Sequence, residues 1–169
     1  GEYFGELFDP LGGQTDLQNK LIRVLHPKSF VDDPTRIFRA VRYGMRYGFK
    51  IEPETLRLVN DEARPVLSQL SGERLRHEFD LVFEEQDMIP MLDEIARLGL
   101  LQPIHASLLL ADSQKLTTLK DAPDKDLGDF SIPDLLTFRQ TLGWILYLLN
   151  LPESDIEALA GRLAFPALL

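Results

Sequence analysis

Asp32-Asp33-Pro34-Thr35-Arg36-Ile37-Phe38-Arg39-Ala40-Val41-Arg42-Tyr43-Gly44-Met45-Arg46-Tyr47-Gly48-Phe49 is the stretch on which the reading of this 169-residue chain turns. Pro34 stands where a helix tolerates proline, at its first position, and Gly48 is a left-handed stop, so the spacing predicts a helix from just after Asp33 to about Tyr47. At 100° per residue, Arg36, Arg39, Arg42 and Arg46 fall within an arc of about 120°. Ile37, Phe38, Val41 and Met45 occupy a separate apolar arc. One face is therefore expected in the core, beside a stripe of guanidinium groups. Like charges on one face repel by a few tenths of a kcal/mol per close pair, a cost that an anion lying opposite relieves.

Outward from this stretch the pattern remains helical. Asp9-Pro10 and Gly12-Gly13 are turn chemistry, so the chain opens in a loop. A short helix is predicted around Asp16 to Leu21, capped by Thr15 or Asp16. Pro53 opens a helix toward Leu70, bent near Pro65. Further helices are predicted from Ser71 to about Glu85, Met88 to Leu98 with Gly99 as terminator, Leu100 to Ala111, Pro133 to Asn150, and Asp155 to Leu163. No strand alternation rises above noise. Asp121 to Asp129 is an acidic Pro/Gly loop, read as solvated. The expected class is all-α.

Composition narrows the function. With 44% hydrophobic residues the chain can bury a core without staples, and it has no cysteine for a disulfide or a thiolate zinc site. That fits a reducing cytosol. No apolar run reaches the roughly 18 residues needed to span a bilayer, and Gly1 to Glu6 lacks the features of a signal peptide. The net charge of −9 is divided unevenly. Lys20 to Lys50 holds eight Lys/Arg against Asp32 and Asp33, a segment of +6 against −15 for the rest of the chain. A basic first third suggests polyphosphate or RNA contact at that end, with Lys20, Arg23, Lys28 and Arg46 as candidate RNA contacts; a solvated basic helix is the alternative.

Asp33 and Arg36 are neighbours at the start of the helix. A carboxylate accepts from an exocyclic amine while a guanidinium donates to a ring acceptor, so the two together can read the Watson–Crick edge of adenine or cytosine. Guanine and uracil offer a carbonyl where the carboxylate needs a donor. Equally, Asp33 can cap the helix with Arg36 paired to it.

Three ordered segments carry a resemblance: Asp9-Pro10-Leu11-Gly12-Gly13-Gln14-Thr15-Asp16-Leu17, then Leu21-Ile22-Arg23-Val24-Leu25, then Phe30 to Tyr43. Together they resemble the class II tRNA nucleotidyltransferase and bacterial poly(A) polymerase family, and Ser71-x-Glu73-Arg74-x-x-x-Glu78 resembles a further motif of it that buttresses the neck helices. The resemblance implies a neck-and-body array: residues 1–15 as connecting loop, 16–86 as neck and 87–169 as body. It implies base recognition of ATP and CTP by Asp33 and Arg36, with Arg39 and Arg42 supporting the nucleotide site or the motif's geometry. Asp9, Gly12, Gly13 and Asp16 match the loop that flexes between head and neck. The usual Glu-Asp pair is Asp32-Asp33 here, which keeps the carboxylate. The implied partners are the tRNA 3′ end, ATP and CTP, with neither DNA nor a membrane. The Gly-Gly-x-x-Arg-Asp element that, with an Asp-x-Asp pair, holds the family's Mg²⁺ ions is missing from this sequence, and its Asp124-Lys125-Asp126 lies in the acidic loop read as solvated, with no strand to brace it. The resemblance therefore implies that the chain starts where a head domain would have ended and transfers no nucleotide alone.

His26, His77 and His105 show no His-Asp pair and no metal-ligand spacing. Tyr43, Tyr47 and Phe49 can stack a base, with core packing of the neck as the alternative. Trp144 is expected in the core, and Ser71 as a helix cap without nucleophilic role. The rival functions are an ATP-only poly(A) polymerase or A-adding enzyme, and a non-enzymatic helical RNA-binding or interaction module. A His-Asp phosphohydrolase finds almost no support in the histidines.

Overall fold

The computed structural model describes Gly5, residues 7–108 and residues 136–165. The acidic stretch Asp121 to Asp129 lies outside them. The elements run α1 (Gly13–Gln18), β1 (Leu21–Ile22), α2 (Ser29–Asp32), α3 (Thr35–Tyr47), β2 (Lys50–Ile51), α4 (Pro53–Arg57), a 3₁₀ turn (Arg64–Gln69), α5 (Gly72–Phe83), α6 (Met88–Arg97), α7 (Phe138–Leu148) and α8 (Glu153–Arg162). The all-α expectation holds, apart from a parallel pair in which Leu21 faces Lys50 and Ile22 faces Ile51.

α3 has the predicted bounds, with Pro34 at its N-cap and Gly48 closing it at φ 65°. Other boundaries moved for local reasons. α1 starts early because the Asp9 carboxylate accepts from the Gly13 and Gln14 amides at 2.8 and 2.7 Å, supplying partners that a helix start lacks. Leu21 is then free to pair as strand. The helix expected from Pro53 to Leu70 breaks after Arg57, where the Asn60 side chain accepts from the Glu62 and Ala63 amides at 2.9 and 3.1 Å and turns the chain. Residues 100–108 form turns rather than the expected helix, because Pro103 lacks an amide hydrogen and disfavours helical geometry at Gln102. Residues 109–111 are outside the described set. α7 begins at Phe138, where Thr137 and Gln140 make a reciprocal capping box, later than the expected Pro133, which also lies outside it. Ser71 occupies the N-cap of α5, but its side chain makes no capping bond.

α3, α5 and α6 pack on one another, and α7 lies against α5. A single buried cluster runs from Phe30 through Phe38, Phe79, Phe83 and Ile95 to Trp144 and Leu163. Each such side chain contributes roughly 1.5–3 kcal/mol by leaving water. Trp144 lies in this core as expected, and its ring N–H donates to Asp80 Oδ1 at 2.6 Å, so the polar end of the indole is satisfied.

α5 is also pinned from behind. Arg162 donates to the carbonyls of Leu67, Ser68 and Leu70, and Arg76 to those of Leu163 and Ala164. The chain at Arg162 comes so close that a Cβ on Gly72 would lie 2.2 Å from the Arg162 carbonyl oxygen. Gly72→Ala should therefore cost about 1–3 kcal/mol through forced backbone displacement. Thermal melting checks this: a Tm lowered by several degrees is expected, and an unchanged Tm would mean the two segments are not packed this closely.

Candidate functional site

The turn between α2 and α3 sets the site. Asp33 ends α2 in an extended conformation (φ −151°, ψ 94°), which swings its side chain back over the start of α3. Its Oδ1 accepts three bonds: from the Thr35 amide at 3.2 Å, the Thr35 hydroxyl at 2.7 Å and Arg74 Nη2 of α5 at 2.8 Å. Its Oδ2 lies 3.9 Å from Arg36 Nε. Arg36 Nη1 donates to the Ser29 carbonyl at 3.2 Å, fixing one edge of the guanidinium and leaving other N–H groups available. Partial burial pushes the Asp33 carboxyl up, but the Thr35 hydroxyl, Arg74, the Thr35 amide and Arg36 together outweigh it and hold it below the ordinary aspartate value. Asp33 is thus an ionised acceptor with one oxygen saturated and one beside a donor fork. The Asp33 side chain is 29% exposed and that of Arg36 45%, so the pair is open to solvent rather than sealed in the core. Asp33 thus braces the start of α3 and lies within ion-pair distance of Arg36, as the capping reading of the sequence expects.

Arg39 and Arg42 part company. Arg39 is exposed and, among the described residues, has no carboxylate within the 4 Å of an ion pair; its guanidinium carbon lies 5.7 Å from the centre of the Tyr43 ring. Arg42, expected at the nucleotide site or behind it, is buried: only 5% of it is exposed. Its partners are Glu78 at 4.0 Å and Glu85 at 3.7 Å, and its guanidinium lies over Tyr43. Arg42 thus braces α3 against α5, on the side of the motif's geometry rather than at the surface beside Asp33 and Arg36. Arg46, a candidate RNA contact, is gripped by both Glu85 oxygens. The anion opposite the basic stripe is thus, for half of it, the protein's own Glu78 and Glu85.

The other expected residues are spread around the α1–β1 corner. Asp9 holds Gly13 and Gln14, and these bonds keep its carboxyl below the ordinary value. Gly12 caps α1 at φ 74°, a left-handed conformation that suits glycine. Asp16 accepts from Arg23 at 3.0 Å, and Arg23 also lies 3.6 Å from Glu52, so this arginine is matched. Lys20 and Lys28 are exposed and, among the described residues, have no ion pair. Glu73 is exposed in the first turn of α5, while Glu78 is buried. A cavity of about 500 Å³ opens at this corner, lined by Asp9, Asp16, Leu21, Arg23, Leu25 and Phe49; Asp33 and Arg36 do not line it.

His26 lies 3.7 Å from Asp32, with both side chains about half exposed. Among the described residues no group of three His, Cys, Asp or Glu could hold a metal ion, and no helix is long and apolar enough to cross a membrane. Thr35, Ser29 and Glu85 are the supporting groups that sequence reasoning missed. Thr35, two residues after Asp33, carried a local signal, whereas Glu85 is 39 residues from Arg46 and carried none.

The fold and the sequence are shared with known proteins. A family model described as "Probable RNA and SrmB- binding site of polymerase A" matches residues 48–109. An A-adding tRNA nucleotidyltransferase of Geobacter sulfurreducens is 39% identical over 155 residues, covering 90% of this chain and 17% of that protein. Another A-adding tRNA nucleotidyltransferase, from Halalkalibacterium halodurans, is 36% identical over 129 residues, 75% of this chain and 30% of that protein. A solved CCA-adding enzyme with ATP superposes with a TM-score of 0.74 at 26% identity, covering 94% of this chain and 38% of that one. The chain belongs to the class II tRNA nucleotidyltransferase family. It spans less than a third of the length of the two curated relatives it matches, and within the family it corresponds to the helical neck-and-body part.

Proposed function

We propose that this chain is the base-selecting and tRNA-supporting part of a cytoplasmic enzyme that adds CMP or AMP to tRNA 3′ ends from CTP and ATP. The observation that carries the reading is Asp33: one oxygen held by Thr35 and Arg74, the other free beside Arg36 on an open surface. Oδ2 accepts from the exocyclic amine of adenine or cytosine, and Arg36 donates to the neighbouring ring nitrogen. Arg39 lies one turn along the same helix on its exposed side, and Arg42 holds the helix. In this reading residues 16–86 serve as neck and 87–169 as body, with Lys20 and Lys28 facing RNA and the turn from Asp9 to Gly12, which leads into α1, flexing between additions. The family's Mg²⁺ ions, which would activate the 3′-hydroxyl and α-phosphate, find no fitting ligand set among the described residues.

A second reading is favoured by a specific observation: both curated relatives above are A-adding enzymes. The intact protein would then use ATP alone, as a poly(A) polymerase also would. One experiment tests both: the intact protein is offered each nucleotide separately with tRNA lacking CCA and with tRNA ending in CC. Addition of CMP and then AMP supports the CCA reading; AMP on the CC-ended tRNA, without CMP on either, supports the A-adding one. Incorporation of GMP or UMP at comparable rates would overturn the base-reading pair. Nucleotide transfer by the 169-residue chain alone would overturn its role as a supporting part, and no transfer by the intact protein would favour a non-enzymatic module.

A further inference from the structure

α3 presents more than its base-reading end. At 100° per residue Arg36, Arg39, Tyr43 and Tyr47 fall within about 80° of one another, and Arg36 and Tyr47 are about 16 Å apart along the axis. Tyr47 is the surprise: packing in the neck was one of its two expected roles, yet it is 59% exposed. Its ring continues an aromatic line, 6.3 Å from Tyr43 on one side and 6.2 Å from Phe49 on the other. Cations flank the line. Arg39 lies by Tyr43 with no carboxylate within the 4 Å of an ion pair among the described residues, and exposed Lys50 follows three residues after Tyr47. Lys50 in turn is hydrogen-bonded through its amide to the carbonyl of exposed Lys20 at 2.8 Å, which brings a further unmatched cation to this end. A single RNA strand supplies, at regular spacing, both a base face for the ring and phosphates for the cations.

We propose that this ridge is a stacking rail for the single-stranded 3′ end of the RNA. Tyr47 takes the face of an unpaired base while Arg39, Lys50 and Lys20 take phosphates, and the strand's terminus is led along α3 to lie beside the nucleotide whose base Asp33 and Arg36 hold. The direction of the strand rests on the reading of Asp33 and Arg36 as the base-selecting pair; the affinity of the ridge for unpaired RNA does not.

Fluorescence anisotropy of the 169-residue chain with two labelled acceptor-stem minihelices, one with a single-stranded 3′ tail and one blunt, tests the proposal. The tailed RNA should bind more tightly by roughly 5- to 100-fold. Tyr47→Ala should erase that preference while leaving the blunt affinity unchanged, and Tyr47→Phe, which keeps the π-face, should retain it. Arg39→Ala should weaken binding to the tailed RNA and reduce its salt dependence by about one counterion. The proposal is overturned if the wild-type chain binds both RNAs alike, if Tyr47→Ala keeps the tail preference, or if Tyr47→Ala weakens both RNAs equally. Since Tyr47 is largely exposed, a thermal melt should give the wild-type Tm for each variant. Base selectivity of the intact protein is measured separately, so loss of the tail preference with ATP/CTP selectivity intact sinks the ridge and leaves the base-reading pair standing.

Discussion

Asp33→Asn in the intact protein should collapse the preference for ATP and CTP over GTP and UTP. The substitution keeps size and shape, but a carboxylate accepts at both oxygens while an amide presents one acceptor and one donor. Oδ1 is held by three donors, from Thr35 and Arg74, so the amide oxygen should settle there and point the NH₂ toward the position of Oδ2. A donor now stands where an acceptor stood. It faces the amine of adenine or cytosine unfavourably and the carbonyl of guanine or uracil favourably. A good bidentate contact discriminates by about 1–3 kcal/mol, so kcat/KM for ATP or CTP relative to GTP should fall roughly 5- to 150-fold. Arg36→Ala removes the other half and should weaken ATP and CTP without creating a preference for guanine. Because the Asp33 carboxyl is held below its ordinary value, wild-type selectivity should persist at mildly acidic pH and fade only as that carboxyl protonates. Single-nucleotide incorporation kinetics check all three expectations, and an unaltered nucleotide preference in Asp33→Asn would exclude a base contact at this carboxylate.

Legibility in the sequence depended on how far apart the interacting groups lie. α3 was legible because its signals are local: Pro34 and Gly48 bound it, and its arginines and apolar residues alternate at helical spacing. The Asp33–Arg36 pair was legible for the same reason. The alternation did not reveal which arginines are free. Arg42 and Arg46 are matched by Glu78 and Glu85, which arrive on or just after α5, and only the packing of α3 on α5 brings them opposite. Periodicity treats four arginines on a face as equivalent, but the fold places one in the core and ties another to a glutamate. Asp9 misled in the other direction, since a carboxylate reaching four and five residues forward started a helix earlier than any local cap suggested. Leu21 and Ile22 are too short a run to announce a strand without Lys50 and Ile51 beside them.

Arg42→Ala should be the most damaging single change to stability. Arg42 and Glu78 are each 7% exposed at the side chain, and Glu85 is 10% exposed. Removing the cation leaves Glu78 buried and uncompensated, and such half-broken pairs cost about 3–5 kcal/mol. For a chain of this size that corresponds to a fall in Tm of roughly 6–20 °C. The exposed pair Arg57–Glu54, with both side chains 69% exposed, provides the contrast: Arg57→Ala should lose less than about 1 kcal/mol. The pH dependence separates charge from packing. Burial pushes the Glu78 carboxyl up, with Arg42 foremost among the neighbours that oppose the rise. A carboxyl raised in the folded state holds a proton that the unfolded chain releases, so its stabilising contribution is present at acid pH and is lost as pH climbs through the folded value. Without Arg42 that value rises further, and the loss extends toward neutrality. The deficit of Arg42→Ala relative to wild type should therefore be widest near neutral pH and narrow on acidification toward the ordinary glutamate range. Glu78→Gln should restore much of the lost stability when combined with Arg42→Ala, because it removes the stranded charge. A deficit equal at every pH and untouched by Glu78→Gln would mean that Arg42 holds α3 through the stacking of its guanidinium on Tyr43 rather than through its pairing with Glu78.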